Sequence, residues 1–122
     1  MTTSEIATVL AWHDALNARD LDTLLELSSD DIEIADADGA TQGQDALRDR
    51  VASLRSTAEP GRMYVHDGIV VVEQEIFGPG SPQKSASAFG VVHDKVTSVF
   101  RHRDLASALA ATELTEGDLV DS

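Results

Sequence analysis

Aspartate and arginine are the residue types in this chain best placed to do chemistry, and both recur at informative spacings. Asp36 and Asp38 bracket Ala37 just ahead of Gly39, where a carboxylate facing a pocket would serve as a general acid or base. The plainer reading is a turn in which aspartate side chains hydrogen-bond their own backbone. Towards the C-terminus Thr97, Val99, Arg101 and Arg103 alternate with Ser98, Phe100 and His102. On a strand the two arginines therefore share a face with Thr97 and Val99. A guanidinium turned inward needs an anion, either a protein carboxylate or the acid group of a bound molecule, and its planar fork suits a carboxylate. A structural ion pair is the plainer alternative in a chain this rich in acids.

Other chemistries find little support. The four histidines are His13, His66, His93 and His102, and no two have the spacing of a helical metal site, so neither a metal nor another cofactor is expected. His13 follows Trp12 on a predicted helix and is expected at the surface or boundary, a quarter-turn from its neighbour. His66 and His93 fall in predicted turns. Gly78-Pro79-Gly80 does not follow a phosphate-cradling glycine pattern, and no serine sits in a nucleophile elbow.

The 122 residues suffice for one domain with a single core. The absence of cysteine excludes disulfides and thiolate metal sites and leaves the redox compartment open. The net charge of −13 is uneven. Residues 1–45 carry eleven acids against Arg19 alone, residues 46–103 carry six acids and eight bases, and residues 104–122 carry five acids and no base. Such a field repels polyanions, so neither nucleic acid nor an anionic membrane is an expected partner. No apolar run has bilayer-spanning length and no leader pattern opens the chain, so a cytoplasmic location is expected.

These residues need elements to position them. Thr2 or Thr3 caps a first helix carrying Ile6, Val9, Leu10 and Leu16, with Trp12 and His13 beside the stripe. Asp20 caps a short second helix with Leu21, Leu24, Leu25 and Leu27, which the Ser28-Ser29-Asp30-Asp31 segment ends. Ile32 and Ile34 predict a strand closed by the aspartate–glycine turn. A third helix runs from about Gln44 to Arg55, with Leu47, Val51 and Leu54 on one face. Strand periodicity then covers Met63 to Val65, Ile69 to Phe77, Ser85 to Val92 and Val96 to Arg103, joined by turn formers. In the second of these, Val70, Val72, Gln74 and Ile76 make the better cavity lining. Val71, Glu73, Glu75 and Phe77 form the opposite face, suited to a wet dimer contact or to solvent. Asp104 caps a closing helix, and the acidic residues from Thr115 are expected to fray. A single domain over residues 1–114 and an acidic tail over 115–122 follow. Helices first and hairpin-linked strands after give an α+β layer, and a coiled antiparallel sheet under helices leaves a cavity.

At this level the chain resembles the nuclear transport factor 2-like superfamily, in particular its short SnoaL-like, polyketide cyclase-like members. The likeness spans nearly the whole chain. It rests on Trp12-His13-Asp14-Ala15-Leu16-Asn17-Ala18-Arg19-Asp20-Leu21-Asp22, on Asp30-Asp31-Ile32-Glu33-Ile34, on Gly43-Gln44-Asp45-Ala46-Leu47 and on Lys95 to Asp104. The resemblance implies a cone-shaped α+β barrel: N-terminal helices packed on a strongly curved, mostly antiparallel sheet, with a pocket between them. It also implies a homodimer through the outer sheet face.

The same resemblance sets Trp12 where ketosteroid isomerase has an oxyanion-donating tyrosine, Asp36 at that enzyme's proton-abstracting aspartate, and Ala88 at its second donor. With both donors gone, the largest contribution to enolisation is missing and ketosteroid isomerase activity is not expected. Arg101 coincides with the final-strand catalytic aspartate of limonene epoxide hydrolase, which reverses the charge there. SnoaL-type cyclases require one acid/base, for which Asp36 is the candidate. The expectation is a small-molecule-binding domain, non-catalytic or of unknown activity, for an anionic or carbonyl-containing ligand contacted by Trp12, Val72, Gln74, Val99, Arg101 and Arg103. A cofactor-independent lyase, isomerase or cyclase using Asp36 is the alternative.

Overall fold

A computed structural model describes residues 4–36, 39–53, 56–78 and 80–120. Among these residues four α-helices pack on one six-stranded sheet. The helices are α1 (Ser4–Ala18), α2 (Leu21–Glu26), α3 (Gln44–Ser53) and α4 (Leu105–Thr112); the strands are β1 (Ser28–Asp36), β2 (Gly39–Gln42), β3 (Thr57–His66), β4 (Ile69–Phe77), β5 (Gln83–Val92) and β6 (Lys95–His102). The strand order is β2-β1-β6-β5-β4-β3. Among the described residues only the β1–β6 ladder is parallel; the sheet is mixed and unclosed. The predicted α+β cone is the observed architecture. Thr2 and Thr3, Asp38, Leu54, Arg55 and Pro79, which figure in the sequence reading, lie outside the described residues.

Helix α1 lies across the inner face because Ile6, Val9, Trp12 and Ala15 recur every three residues and are all buried. Arg19 ends it in a left-handed conformation, φ 58°. Its guanidinium donates to the Leu16 and Ser56 carbonyls, at 2.8 and 2.9 Å, tying the helix end to the strand layer. Asp20 then caps α2 by accepting from the Thr23 amide. The main core joins α1, α2 and α3 to the inner faces of β1 and β3–β6 through Leu24, Ile32, Ile34, Leu47, Val70, Val72, Phe89, Val96 and Val99. On the outer face α4 covers Tyr64, Val71, Ala86 and Ala88. Val71 therefore faces a helix rather than water, because the apolar side chains of α4 need a partner and this is the strip they meet.

Several boundaries differ from expectation. Gly39–Gln42 forms β2 where only a turn is expected, and β3 starts at Thr57, through the Glu59-Pro60-Gly61 segment, rather than at Met63, because β1 and β4 respectively supply ladder partners to the two stretches. Strand β1 begins at Ser28, inside the segment expected to be a break, because Val96 donates its amide to the Leu27 carbonyl and β6 recruits the chain alongside. The acidic tail does not fray within the described residues. Thr115 and Asp118 form a capping box around a single 3₁₀ turn, Leu119 bridges to Tyr64, and the Val120 amide donates to the Met63 carbonyl at 2.8 Å. Local composition marked this segment as solvated; the open edge of β3 supplies the acceptors that order it. Truncation after Leu114 should therefore destabilise the domain by about 1–2 kcal/mol, the worth of one or two net hydrogen bonds. Urea unfolding of the two chains measures the difference, and an unchanged midpoint would show that the tail contributes nothing.

Candidate functional site

Two cavities open between the helices and the inner face of the sheet. The smaller, about 60 Å³, is bordered by Trp12, Leu16, Gln74, Ser87, Phe89, Val99 and Arg101, among others. The larger, about 220 Å³, is bordered by Trp12, Leu16, Ile34, Leu47, Arg50, Val51, Ser53 and Arg101. Trp12, Leu16 and Arg101 border both, so the two form adjoining parts of one compartment. Its walls are mostly apolar, with a few polar groups converging, as in a small-molecule site.

Trp12 sets the wall. Its indole N–H donates to Ser28 Oγ at 3.0 Å, and Ser28 in turn donates to the Leu24 carbonyl at 2.8 Å. Its ring meets Phe89 edge to face, centroids 5.5 Å apart. The indole donor is thus used inside the protein, and the side chain offers a ligand apolar surface only.

The polar floor is a directed chain of hydrogen bonds. His13 Nδ1 lies 2.9 Å from the Val9 carbonyl, which only accepts, so Nδ1 carries the proton and Nε2 is left as an acceptor. Gln74 Nε2, 2.7 Å away, donates to it. That fixes the amide with Oε1 turned to Ser87, whose hydroxyl donates to it at 2.8 Å. Gln74 keeps one N–H and Ser87 keeps its oxygen lone pairs, and both residues border the smaller cavity. Ser85, directly across the ladder from Gln74, has a buried hydroxyl with no hydrogen-bond partner among the described residues. The sequence pattern predicts His13 at the surface or boundary. It is 1% exposed, because α1 runs so close to the sheet that the flank next to Trp12 meets Gln74 and Phe89.

Arg101 sits opposite Ser87 in the β5–β6 ladder, which brings their Cβ atoms to about 5 Å on the inner face. Its guanidinium makes no hydrogen bond or ion pair among the described residues. Arg50, from the inward face of α3, borders the larger cavity, donates to Thr41 Oγ1 at 3.2 Å and pairs with Asp36 Oδ2 at 3.1 Å. Asp36 is half-buried and borders neither inner cavity; together with Arg101 it lines a groove of about 510 Å³ that reaches the outer face beside Phe100 and His102. Of the remaining residues picked from sequence, Gln74 and Val99 border the smaller cavity. Val72 lies deeper, wholly buried in the core, and touches neither. Arg103 falls beyond β6, highly exposed and 3.8 Å from Asp104, because strand alternation stops at His102. Sequence reasoning missed Arg50 and Ser87. The spacing of Arg50 from Leu47, and of Ser87 from Phe89, carries the signal for both. No group of three or more histidine, aspartate or glutamate side chains able to hold a metal occurs among the described residues.

The model of the SnoaL-like domain matches residues 9–106, and the chain belongs to this family. A search of curated proteins finds no match. Among solved structures, an NTF2-like protein of unknown function from Cytophaga hutchinsonii superposes with a TM-score of 0.76 at 13% identity, over 89% of this chain and 97% of that one. A protein described as a polyketide cyclase from Sinorhizobium meliloti gives 0.74 at 22% identity, over 83% and 100%. TerC, co-crystallised with polyporic acid, gives 0.72 at 18% identity, over 92% and 98%. At these identities the likeness is one of fold. Among the described residues no helix is long and apolar enough to cross a membrane.

Burial holds the His13 imidazole below its ordinary value, outweighing the hydrogen bond to Val9 and the charge of Asp14, which both act upward. The unfolded chain therefore takes up the proton first as pH falls, so the stability contributed by neutral His13 is present above about pH 6.5 and is lost below it, towards the lower folded-state value. Wild-type protein should lose stability between about pH 7 and 5 relative to His13→Gln, as read by urea midpoints across that range. Parallel pH profiles for the two proteins would contradict a neutral, buried His13.

Proposed function

We propose that this SnoaL-like domain binds a compact small molecule, anionic or carbonyl-bearing, in the compartment between α1, α3 and the sheet. The observation that carries this reading is Arg101, a solvent-exposed cation with no hydrogen-bond or ion-pair partner among the described residues, at the edge shared by two apolar-walled cavities, in a chain whose net charge is −13. With Arg50 neutralised by Asp36, Arg101 makes the compartment edge a local positive site in a negative field, which attracts an anion that the rest of the surface repels. The larger cavity exceeds the roughly 150 Å³ that accepts benzene in an engineered core, so one ring fits. The structural neighbours include a polyketide cyclase by description and a protein crystallised with polyporic acid, which is in keeping with a ring-bearing carbonyl or acid ligand.

The alternative is a lyase, isomerase or cyclase with Asp36 as acid/base. Its position at the groove edge favours this, but its carboxylate is already engaged by the Arg50 guanidinium at 3.1 Å. Asp36 is better suited to holding Arg50 at the compartment. We further propose that two copies of the chain pair through the outer face next to the exposed Phe100, and light scattering giving a monomer mass would refute that.

Phenylacetate should raise the melting temperature of the wild-type protein. Arg101→Ala should weaken that binding by about ten- to a hundredfold, as expected for a charge-assisted hydrogen bond of about 1.5–3 kcal/mol. Binding indifferent to Arg101→Ala, or absent in both proteins, would remove the basis for the proposed function.

A further inference from the structure

We propose that the smaller cavity is a head-group subsite for a hydroxyl next to a carboxylate, so that the ligand is an aryl 2-hydroxycarboxylate with its ring in the larger cavity. This rests on the binding function proposed above and adds the chemistry of the head. Three groups meet at the cavity on adjacent strands. Ser87 is the direct ladder partner of Arg101, and Gln74 lies two residues along the neighbouring strand from Val72, the residue opposite Ser87, on the same face. Each has a defined hydrogen-bonding sense. Arg101 only donates and carries the charge. Gln74 has one amide hydrogen left after serving His13 Nε2, and it too donates. Ser87 spends its single proton on Gln74 Oε1, so towards the cavity it only accepts.

A bare carboxylate satisfies the first two groups and leaves the Ser87 lone pairs facing an oxygen. A head bearing both an anion and an adjacent hydroxyl satisfies all three: carboxylate oxygens take Arg101 and Gln74 N–H, and the hydroxyl donates to Ser87 Oγ. The direction of the whole set is imposed from behind. The Val9 carbonyl fixes the His13 proton on Nδ1, which fixes the amide, which fixes the serine hydroxyl. His13 is therefore a positioning residue, and it does not border the cavity itself. A cavity of about 60 Å³ suits a head group of a few heavy atoms and is too small for a ring.

The probes are mandelate, phenylacetate and mandelamide, measured by calorimetry on the intact protein. Mandelate should bind about tenfold more tightly than phenylacetate, the worth of one satisfied buried hydrogen bond, and mandelamide should bind most weakly. In Ser87→Ala the preference for mandelate over phenylacetate should collapse to about unity while phenylacetate binding persists. His13→Leu, which frees the amide to turn over, should reduce the same ratio with phenylacetate again retained, an effect that loss of packing alone would not single out. Equal binding of mandelate and phenylacetate to the wild-type protein would overturn the head-group assignment and leave the anion site standing. If the wild-type protein binds neither acid, both proposals fall. The comparison within the wild-type protein decides the matter even if a variant does not fold.

Discussion

Everything in the compartment depends on where α1 is held relative to the sheet, and that is set by one buried side chain. Trp12 reaches back through its indole N–H to Ser28, which is itself anchored to the end of α2, and leans its ring on Phe89 of β5. A polar tip tied on one side and an aromatic edge on the other fix the ring's orientation as well as its depth. The same helix turn brings His13 against Gln74. A smaller side chain at position 12 would let α1 settle onto the sheet. The bulky indole, propped between Ser28 and Phe89, leaves unfilled space towards α3.

The charges in this space are divided with some economy. Of the two arginines that border the larger cavity, one is neutralised by Asp36 and the other is left without a carboxylate among the described residues. An ion pair at partial exposure contributes little to stability, so its main effect is geometric: it holds the guanidinium of Arg50 against β1. The buried floor, by contrast, carries no charge. Burial disfavours the protonated imidazole of His13, and a neutral chain of donors and acceptors avoids the cost of a desolvated ion.

Much of the architecture was legible in local pattern. Period-two alternation along β4 separated Val70, Val72, Gln74 and Ile76 from the opposite face, and the same rule put Val99 and Arg101 on one face of β6, which the family resemblance set inside. Turn formers at Asp67-Gly68 and His93-Asp94 located hairpins whose positive φ angles the structure bears out. The pattern misled where a neighbour from elsewhere intervened. Val71 read as half-wet until α4 covered it, and the acidic tail read as solvated until β3 offered it an edge. Alternation also said which way Val72 points without saying how deep, so it entered the site on paper and the core in the fold.

Element order, strand faces, the absence of sulfur chemistry and the excess of acid are properties of neighbouring residues or of plain composition, and they can be taken from the chain one window at a time. Which proton His13 carries, which arginine takes Asp36 and which keeps its charge for the cavity, and whether Ser87 gives or accepts a hydrogen bond are properties of pairs far apart in sequence. Residues 13 and 74, or 36 and 50, come together only once helices and strands are stacked. Hydrogen bonds and ion pairs are short-ranged and directional, so their partners are fixed by packing distances that no local periodicity encodes.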